Sequence, residues 1–197
     1  IEKTPFAERL VDGIIGGLKY GLIISLAALG LSLIFGTTGL TNFSQGELVT
    51  FGAIVAYAFN VVIGLPVILA GIIAVLLGAV FGWGQDRVLW RPLRHRSTGI
   101  IAMMIVSIGF GLLLRNVYQY VFSSNTKSFD QYTSQRAHDF GLFDLTDKEI
   151  AIFAIAIGTI IVVTTAMSRT RLGKAMRAVS DNPALSASSG MRVDGVI

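Results

Sequence analysis

The sequence LVTFGAIVAYAFNVVIGLPVILAGIIAVLLGAVFGWGQ, residues 48–85, contains no charged side chain. Residues 21–46, 97–114 and 150–168 are free of charge as well. A helix needs about 20 apolar residues to cross the ~30 Å hydrocarbon core of a bilayer. A core helix of a soluble protein is shorter and alternates apolar with polar positions. These stretches therefore predict an all-α protein, a polytopic transmembrane helix bundle.

The overall composition supports the same class. Of the 197 residues, 53% are hydrophobic and 14% are charged, whereas a soluble domain carries about 25% charged residues. The sequence contains no cysteine, which excludes disulfides, thiolate metal sites and cysteine nucleophiles.

We predict five membrane segments, at residues 11–35, 46–63, 66–84, 99–122 and 149–167. Cytoplasmic loops carry an excess of Lys and Arg. The predicted loops 85–98 and 169–193 hold basic clusters, so we expect both to be cytoplasmic. Two membrane crossings separate these loops, so both can lie on the same side of the membrane. The loop 123–148 and the N-terminus are then external.

Residues 36–46 are polar and glycine-rich but contain no Lys or Arg. This composition predicts a discontinuous helix entry partly inside the membrane. Such backbone is tolerated only where it is buried in protein or lines an aqueous cavity, and transporters place broken helices at their substrate pathway. We predict that the following polar residues line a pathway: Thr38, Asn42, Ser44, Gln45 and Glu47.

Ser44 and Glu47 have the S-x-x-E spacing of a capping box, in which each side chain accepts from the other residue's backbone N–H. A carboxylate in the first helical turn is also favoured by the helix dipole. Alternatively, Glu47 is part of the polar lining of the pathway, because an acidic group near lipid usually indicates a functional site. The two interpretations are compatible.

Lys19 and Arg115 are cations within apolar runs. Each either snorkels to the membrane interface or forms an internal ion pair.

Small residues at four-residue steps predict close helix packing, although glycine is common in membrane helices anyway. The residues in these steps are Gly13, Gly17, Gly21, Ser25, Gly78 and Gly82.

The chain contains no G-x-x-x-x-G-K-[ST] phosphate loop, so it does not bind ATP through that motif. His95 and His138 fall in loops that we predict on opposite sides of the membrane, so they cannot share a metal. No catalytic residue, metal site or cofactor is expected in this chain. The chain also lacks the series of intramembrane carboxylates that is typical of proton-coupled pumps. If the chain is part of a transporter, a partner subunit would therefore supply the energy for transport.

The basic segment after the fifth crossing contains a second helix signal. Asp181 or Asn182 can cap a short helix that starts at Pro183, a residue well suited to the first helical position. Gly190 lies where a C′ residue would end it. The predicted helix, residues 183–189, either docks in a protein groove or lies on the membrane surface near anionic lipid.

Residues 20–22 (YGL) and 27–36 (AALGLSLIFG) lead into residues 39–47 (GLTNFSQGE). This run resembles the N-terminal signature of permeases of the branched-chain amino acid ABC importer family, specifically the H-type membrane subunit. RPLR at 91–94 resembles the family's cytoplasmic loop. LGKAMRA at 172–178, followed by DNP at 181–183, resembles its ATPase-contacting loop.

The resemblance implies an importer of two permease subunits, two ATP-binding subunits and an external substrate-binding protein, in the bacterial plasma membrane. ATP-Mg would be on the partner subunits, no nucleic acid is implied, and membrane lipid surrounds the chain. Residues 1–197 would form a single transmembrane permease domain, truncated at its C-terminus because family permeases are longer. Residues 183–190 would be the coupling helix, and the ATPase-coupling residues would be Arg177, Asp181, Asn182, Pro183, Ala184, Leu185 and Gly190.

The expected function is inward movement of a small polar solute, branched-chain amino acids first, by alternating access. One residue departs from the family pattern: many members have His where this chain has Gln45, so a role needing an imidazole does not transfer. Related permeases carry urea, short amides or sugars. The membrane segments by themselves are also compatible with an ATP-independent channel, a secondary transporter or a membrane scaffold.

Overall fold

The computed structural model describes residues 6–96, 98–129, 137–139, 144–191 and 193–195. Within this part of the chain, five helices are long and apolar enough to cross a membrane. They confirm the all-α, polytopic class and the five predicted segments. These spans are Arg9–Thr38, Gln45–Val62, Val67–His95, Ile100–Phe122 and Asp147–Arg169.

The described elements follow one another along the chain in this order. The helices are α1 (Phe6–Thr38), α2 (Gln45–Tyr57), α3 (Val67–Gln85), α4 (Arg91–His95), α5 (Ile100–Phe122), α6 (Asp147–Arg169), α7 (Arg171–Asp181) and α8 (Pro183–Ser188). π-helical turns follow α2 at Ala58–Val62 and α3 at Asp86–Trp90. Two short strands, β1 (Ala137–Asp139) and β2 (Asp144–Thr146), pair antiparallel in the loop before α6, which the sequence did not predict.

The chain forms two compact units. The first unit comprises residues 1–38 and 134–197. In it, α1 packs along α6, and α7 contacts both α1 and α6. The short helix α8 packs on α7.

The second unit comprises residues 39–133. In it, α2 packs against α3 and α5. Phe51 and Phe81 stack between α2 and α3 with ring centroids 4.3 Å apart. Leu40, Trp90 and Met103 form a small buried apolar core, which ties the connection before α2 to the end of α3 and the start of α5.

A short turn reverses the chain between α2 and α3. The Asn60 side chain is buried and its Nδ2 donates to the Leu65 carbonyl at 2.8 Å. Gly64 has φ of +81°, a conformation that glycine adopts without a Cβ penalty. Asn60 and Gly64 thereby close the end of the second segment before α3 begins.

The predicted loop 85–98 is largely helical, which corrects that prediction. The chain continues from α3 through the π-helical turn into α4, and the helix ends only at His95. Arg94 Nη1 lies 2.9 Å from Asp86 Oδ1, so two charges of this stretch pair along the helix. Trp90, between them, is buried. The Asp86–Arg94 ion pair and the burial of Trp90 both favour the helix in this charged stretch.

Candidate functional site

The break between the first two segments is shorter than predicted. α1 continues through Gly36 to Thr38, so residues 36–38 are helical and the break is confined to residues 39–44. The Thr38 hydroxyl donates to the Ile34 carbonyl at 2.7 Å, which keeps the last turn of α1 closed. Gly39 then has φ of +67°, and this left-handed residue ends the helix.

The centre of the break is a buried polar turn. Asn42 Oδ1 accepts from Ser44 Oγ at 2.6 Å and from Ser44 N at 3.1 Å. The Asn42 and Ser44 residues are 3% and 0% exposed. An Asn side chain that binds the backbone two residues on makes a side-chain-closed turn. This turn satisfies the backbone where helix bonding is interrupted.

The predicted Ser44–Glu47 capping box is wrong. Ser44 precedes α2, but its side chain accepts no bond from the helix. Its hydroxyl instead donates to Asn42, which offers a buried acceptor two residues away. The Glu47 carboxylate is left without this partner.

Helix α5 forms the wall against this turn. Ser107 Oγ accepts from Phe43 N at 3.1 Å and donates to the Met104 carbonyl at 2.6 Å. A Cβ on Gly111 would lie 3.4 Å from Ser44 Cα. Ser107 and Gly111 were missed from sequence. Their four-residue spacing of small residues is the signal that could have found them.

Glu47 and Tyr118 extend this wall. Glu47 is half-buried, and its Cγ lies 3.9 Å from the Cβ position of Gly111. Its carboxylate forms no ion pair or hydrogen bond with the residues that the structure describes. The Tyr118 hydroxyl is buried without a hydrogen-bond partner among those residues.

The structure therefore brings three of the five predicted pathway residues, Asn42, Ser44 and Glu47, together around Gly111. Gln45 adjoins them in the first turn of α2, and its Oε1 atom is buried and has no partner in the described chain. Thr38 belongs to the first unit and bonds within α1.

Lys19 forms the internal ion pair that the sequence left open. Its Nζ lies 2.7 Å from Glu149 Oε1. Thr146 and Glu149 make a true capping box at the start of α6, so Glu149 serves both the helix end and the ion pair. Arg115 is exposed and forms no ion pair within the described chain.

The predicted stripes of small residues do not pack closely against a helix in the part of the chain that the structure describes. A Cβ on the five glycines would meet no atom within 4 Å, and Ser25 is exposed. Other glycines, Gly111 and Gly173, do lie close to neighbouring backbone. Close packing depends on which face of a helix meets a neighbouring element. The residues of the predicted stripes are Gly13, Gly17, Gly21, Ser25, Gly78 and Gly82.

A tight corner joins α6 to α7. Thr170 Oγ1 donates to the Ala166 carbonyl at 2.6 Å and accepts from Gly173 N at 3.1 Å. A Cβ on Gly173 would overlap the Met167 backbone. Arg177 Nη2 donates to the Ser168 carbonyl at 3.3 Å. These contacts hold α7 at a fixed angle to the end of α6.

The predicted short helix is present as α8. Asn182 caps it, because its Oδ1 accepts from Leu185 N at 2.9 Å. Pro183 occupies the first turn, and Gly190 has φ of +82° just beyond the helix end. Ser186 Oγ donates to the Ala178 carbonyl at 2.9 Å, which fastens α8 to α7. Leu185 is 64% exposed, so an apolar side chain projects from this helix.

Comparison with known families decides the relationship. Residues 13–197 match the family described as branched-chain amino acid transport system / permease component. The chain belongs to this family. The break and the capped α8 lie in two of the stretches that carried the resemblance.

Curated relatives of this permease-family chain come from bacteria and an archaeon. It is 24% identical to the high-affinity branched-chain amino acid transport system permease protein LivH of Escherichia coli K12, over 98% of this chain and 64% of the relative. It is 24% identical to BraD of Pseudomonas aeruginosa, with the same coverage. A probable LivH of Methanocaldococcus jannaschii is 28% identical over 91% of this chain and 58% of the relative.

The chain thus spans 64% of the length of the LivH and BraD relatives. No solved structure matches it significantly.

Proposed function

We propose that this chain is part of the membrane-spanning permease subunit of an ABC importer that carries branched-chain amino acids inward. The observation that carries the proposal is the buried polar turn at Asn42–Ser44, packed against Ser107 and Gly111. This turn lies between the first two membrane segments of a chain that belongs to the permease family. Polar, non-helical backbone at membrane depth suits a substrate pathway.

The proposed importer contains a second permease subunit, two ATP-binding subunits and an external substrate-binding protein. ATP-Mg binds to the partner subunits. The relatives' names, permease proteins of a high-affinity transport system, support such an assembly. The absence of a phosphate-loop motif from this sequence is consistent with ATP hydrolysis elsewhere.

In this proposal α8 is the coupling helix. It is fastened to α7 through Ser186 and capped by Asn182, so a push on α8 moves α7 as well. The tight corner at Gly173 passes that movement to α6. The exposed Leu185 side chain supplies an apolar contact for the ATPase. The bundle then alternates between outward-open and inward-open states.

The proposed orientation follows from the basic residues. Residues 85–98 and 169–193 face the cytoplasm of a bacterial cell, and the N-terminus and residues 123–148 are external. The supporting observation is the excess of Arg and Lys at the ends of the third and fifth segments.

Purification of the complete permease tests this proposal. We expect the ATP-binding subunits to co-purify with the permease, and deletion of residues 183–190 to abolish that association. A permease that is stable without any ATPase, and whose transport ignores ATP, would show that the importer assignment is wrong.

A further inference from the structure

Among the polar groups of the second unit that lack partners in the described chain are the Glu47 carboxylate and the Tyr118 hydroxyl. The Glu47 carboxylate belongs to a half-buried residue and has no ion pair or hydrogen bond there. The Tyr118 hydroxyl is buried and likewise unpaired. Leaving a buried polar group unsatisfied costs about 1–3 kcal/mol, and more for a charge. Such groups persist where something else satisfies them during function.

Glu47 of α2 and Tyr118 of α5 lie on the same face of α5. Glu47 contacts the helix beside Gly111. Tyr118 follows Gly111 by seven residues, which is close to two full helical turns and therefore the same face. Long helical side chains lean toward the helix N-terminus, so the Tyr118 ring leans back toward Gly111.

The polar side chains next to Glu47 and Tyr118 bond to other groups. Asn42 and Ser44 bond each other, and Ser107 bonds Phe43 and Met104. The Asn42 oxygen and the two serine hydroxyls are engaged within the wall, so they do not compete for Glu47. Arg115, between Gly111 and Tyr118 in sequence, is exposed and does not pair with Glu47.

The unpaired groups define the ligand's chemistry. A carboxylate accepts hydrogen bonds only, and a phenol oxygen both accepts and donates. A compact cation with several N–H donors satisfies both at once, and an ammonium group has three donors. We propose that Glu47 and Tyr118 form a subsite for the α-ammonium group of the transported amino acid. The subsite rests on the proposed function, and it favours amino acids over sugars, urea and neutral amides.

The proposal is tested in the complete importer, reconstituted in vesicles with leucine-loaded binding protein. Tyr118→Phe removes only the hydroxyl, and Glu47→Gln removes only the charge. We expect each variant to lower leucine uptake per ATP hydrolysed by about tenfold, the effect of one lost charge-assisted hydrogen bond.

The thermal unfolding midpoint separates binding from structure. Because the Tyr118 hydroxyl is unsatisfied in the described chain, its removal should leave the midpoint unchanged or raise it. Tyr120→Phe is the matched control, since Tyr120 is two residues away and 92% exposed. It should change neither uptake nor stability.

Several outcomes overturn the subsite. Wild-type uptake ratios in Tyr118→Phe and Glu47→Gln would overturn it, and so would a lowered midpoint for Tyr118→Phe, which would make the hydroxyl structural. Loss of subunit assembly in Glu47→Gln would assign Glu47 to a basic residue of a partner. An equal effect of Arg115→Gln would assign it to Arg115. Failure of the wild-type importer to couple uptake to ATP would instead overturn the proposed function.

Discussion

Lys19 of α1 and Glu149 of α6 form an ion pair, with Nζ 2.7 Å from Oε1. Both side chains are about one-fifth exposed, at 22% and 23%. Glu149 also accepts from Thr146 N at 3.1 Å within the capping box. One carboxylate therefore fixes both the start of α6 and the register between α6 and α1.

Removing both partners of this pair should cost less than the sum of the two single removals. Lys19→Met leaves the Glu149 charge partly buried, and we expect a loss of about 1–3 kcal/mol in unfolding free energy. The Lys19→Met, Glu149→Gln double variant should lose less than the sum of the single changes. Unfolding in detergent micelles measures this double-mutant cycle. Strict additivity would mean that the ion pair contributes no coupling.

Gly173→Ala should disturb the corner between α6 and α7. The new methyl group would overlap the Met167 backbone, and overpacking of this kind costs about 1–3 kcal/mol. Gly158→Ala, within α6, is the matched control, because a Cβ there meets nothing within 4 Å. That change should be neutral or stabilise by up to about 1 kcal/mol. Equal unfolding midpoints for the two variants would contradict the tight corner.

Asn42→Ala should be more harmful than Ser44→Ala. The first change removes the acceptor of two buried donors, Ser44 N and Ser44 Oγ, at a cost of about 2–4 kcal/mol. The second removes one donor and leaves the backbone bond in place, which costs about 1 kcal/mol. Thermal unfolding ranks the two variants, and the reverse order would exclude the Asn42-centred turn.

Leu185→Ser should weaken association with the ATP-binding subunits without affecting the fold. Leu185 is exposed on α8, whereas the Ser186 bond that holds the helix is untouched. An exposed apolar side chain at an interface centre contributes about 1–3 kcal/mol, so the affinity should fall roughly tenfold or more. Co-purification yield measures it, with the exposed Ala187→Ser as control. Undiminished association would remove Leu185 from the interface.

The five membrane segments could be predicted because lipid imposes a length of charge-free helix that the sequence displays directly. The extent of the third segment could not. Residues 86–95 contain several charged side chains, and this composition predicts a loop. In the folded chain Arg94 pairs with Asp86. Helix ends are set by such side-chain pairs as well as by local composition.

The capping motifs make the same point. Ser44–Glu47 and Thr146–Glu149 have the same spacing, but only the second forms a capping box. The difference is Asn42, whose buried oxygen takes the Ser44 hydroxyl. Sequence spacing shows which bonds are possible, and competition between acceptors in the folded chain decides which ones form.

Small residues behave similarly in the candidate site. The sequence favoured the Gly13–Gly17–Gly21 steps, which are exposed, and overlooked Ser107 and Gly111, which pack against the break. Both sets have the same spacing. Which set packs depends on the neighbour that each helix face meets, and a single sequence does not contain that information.

Leucine uptake by vesicles that contain the complete transporter, with its ATP-binding subunits and binding protein, tests the importer function most directly. We predict uptake that requires hydrolysable ATP on the side of the ATP-binding subunits and that stops when ATP is replaced by a non-hydrolysable analogue. Leucine uptake that proceeds at the same rate without ATP would contradict the proposed function.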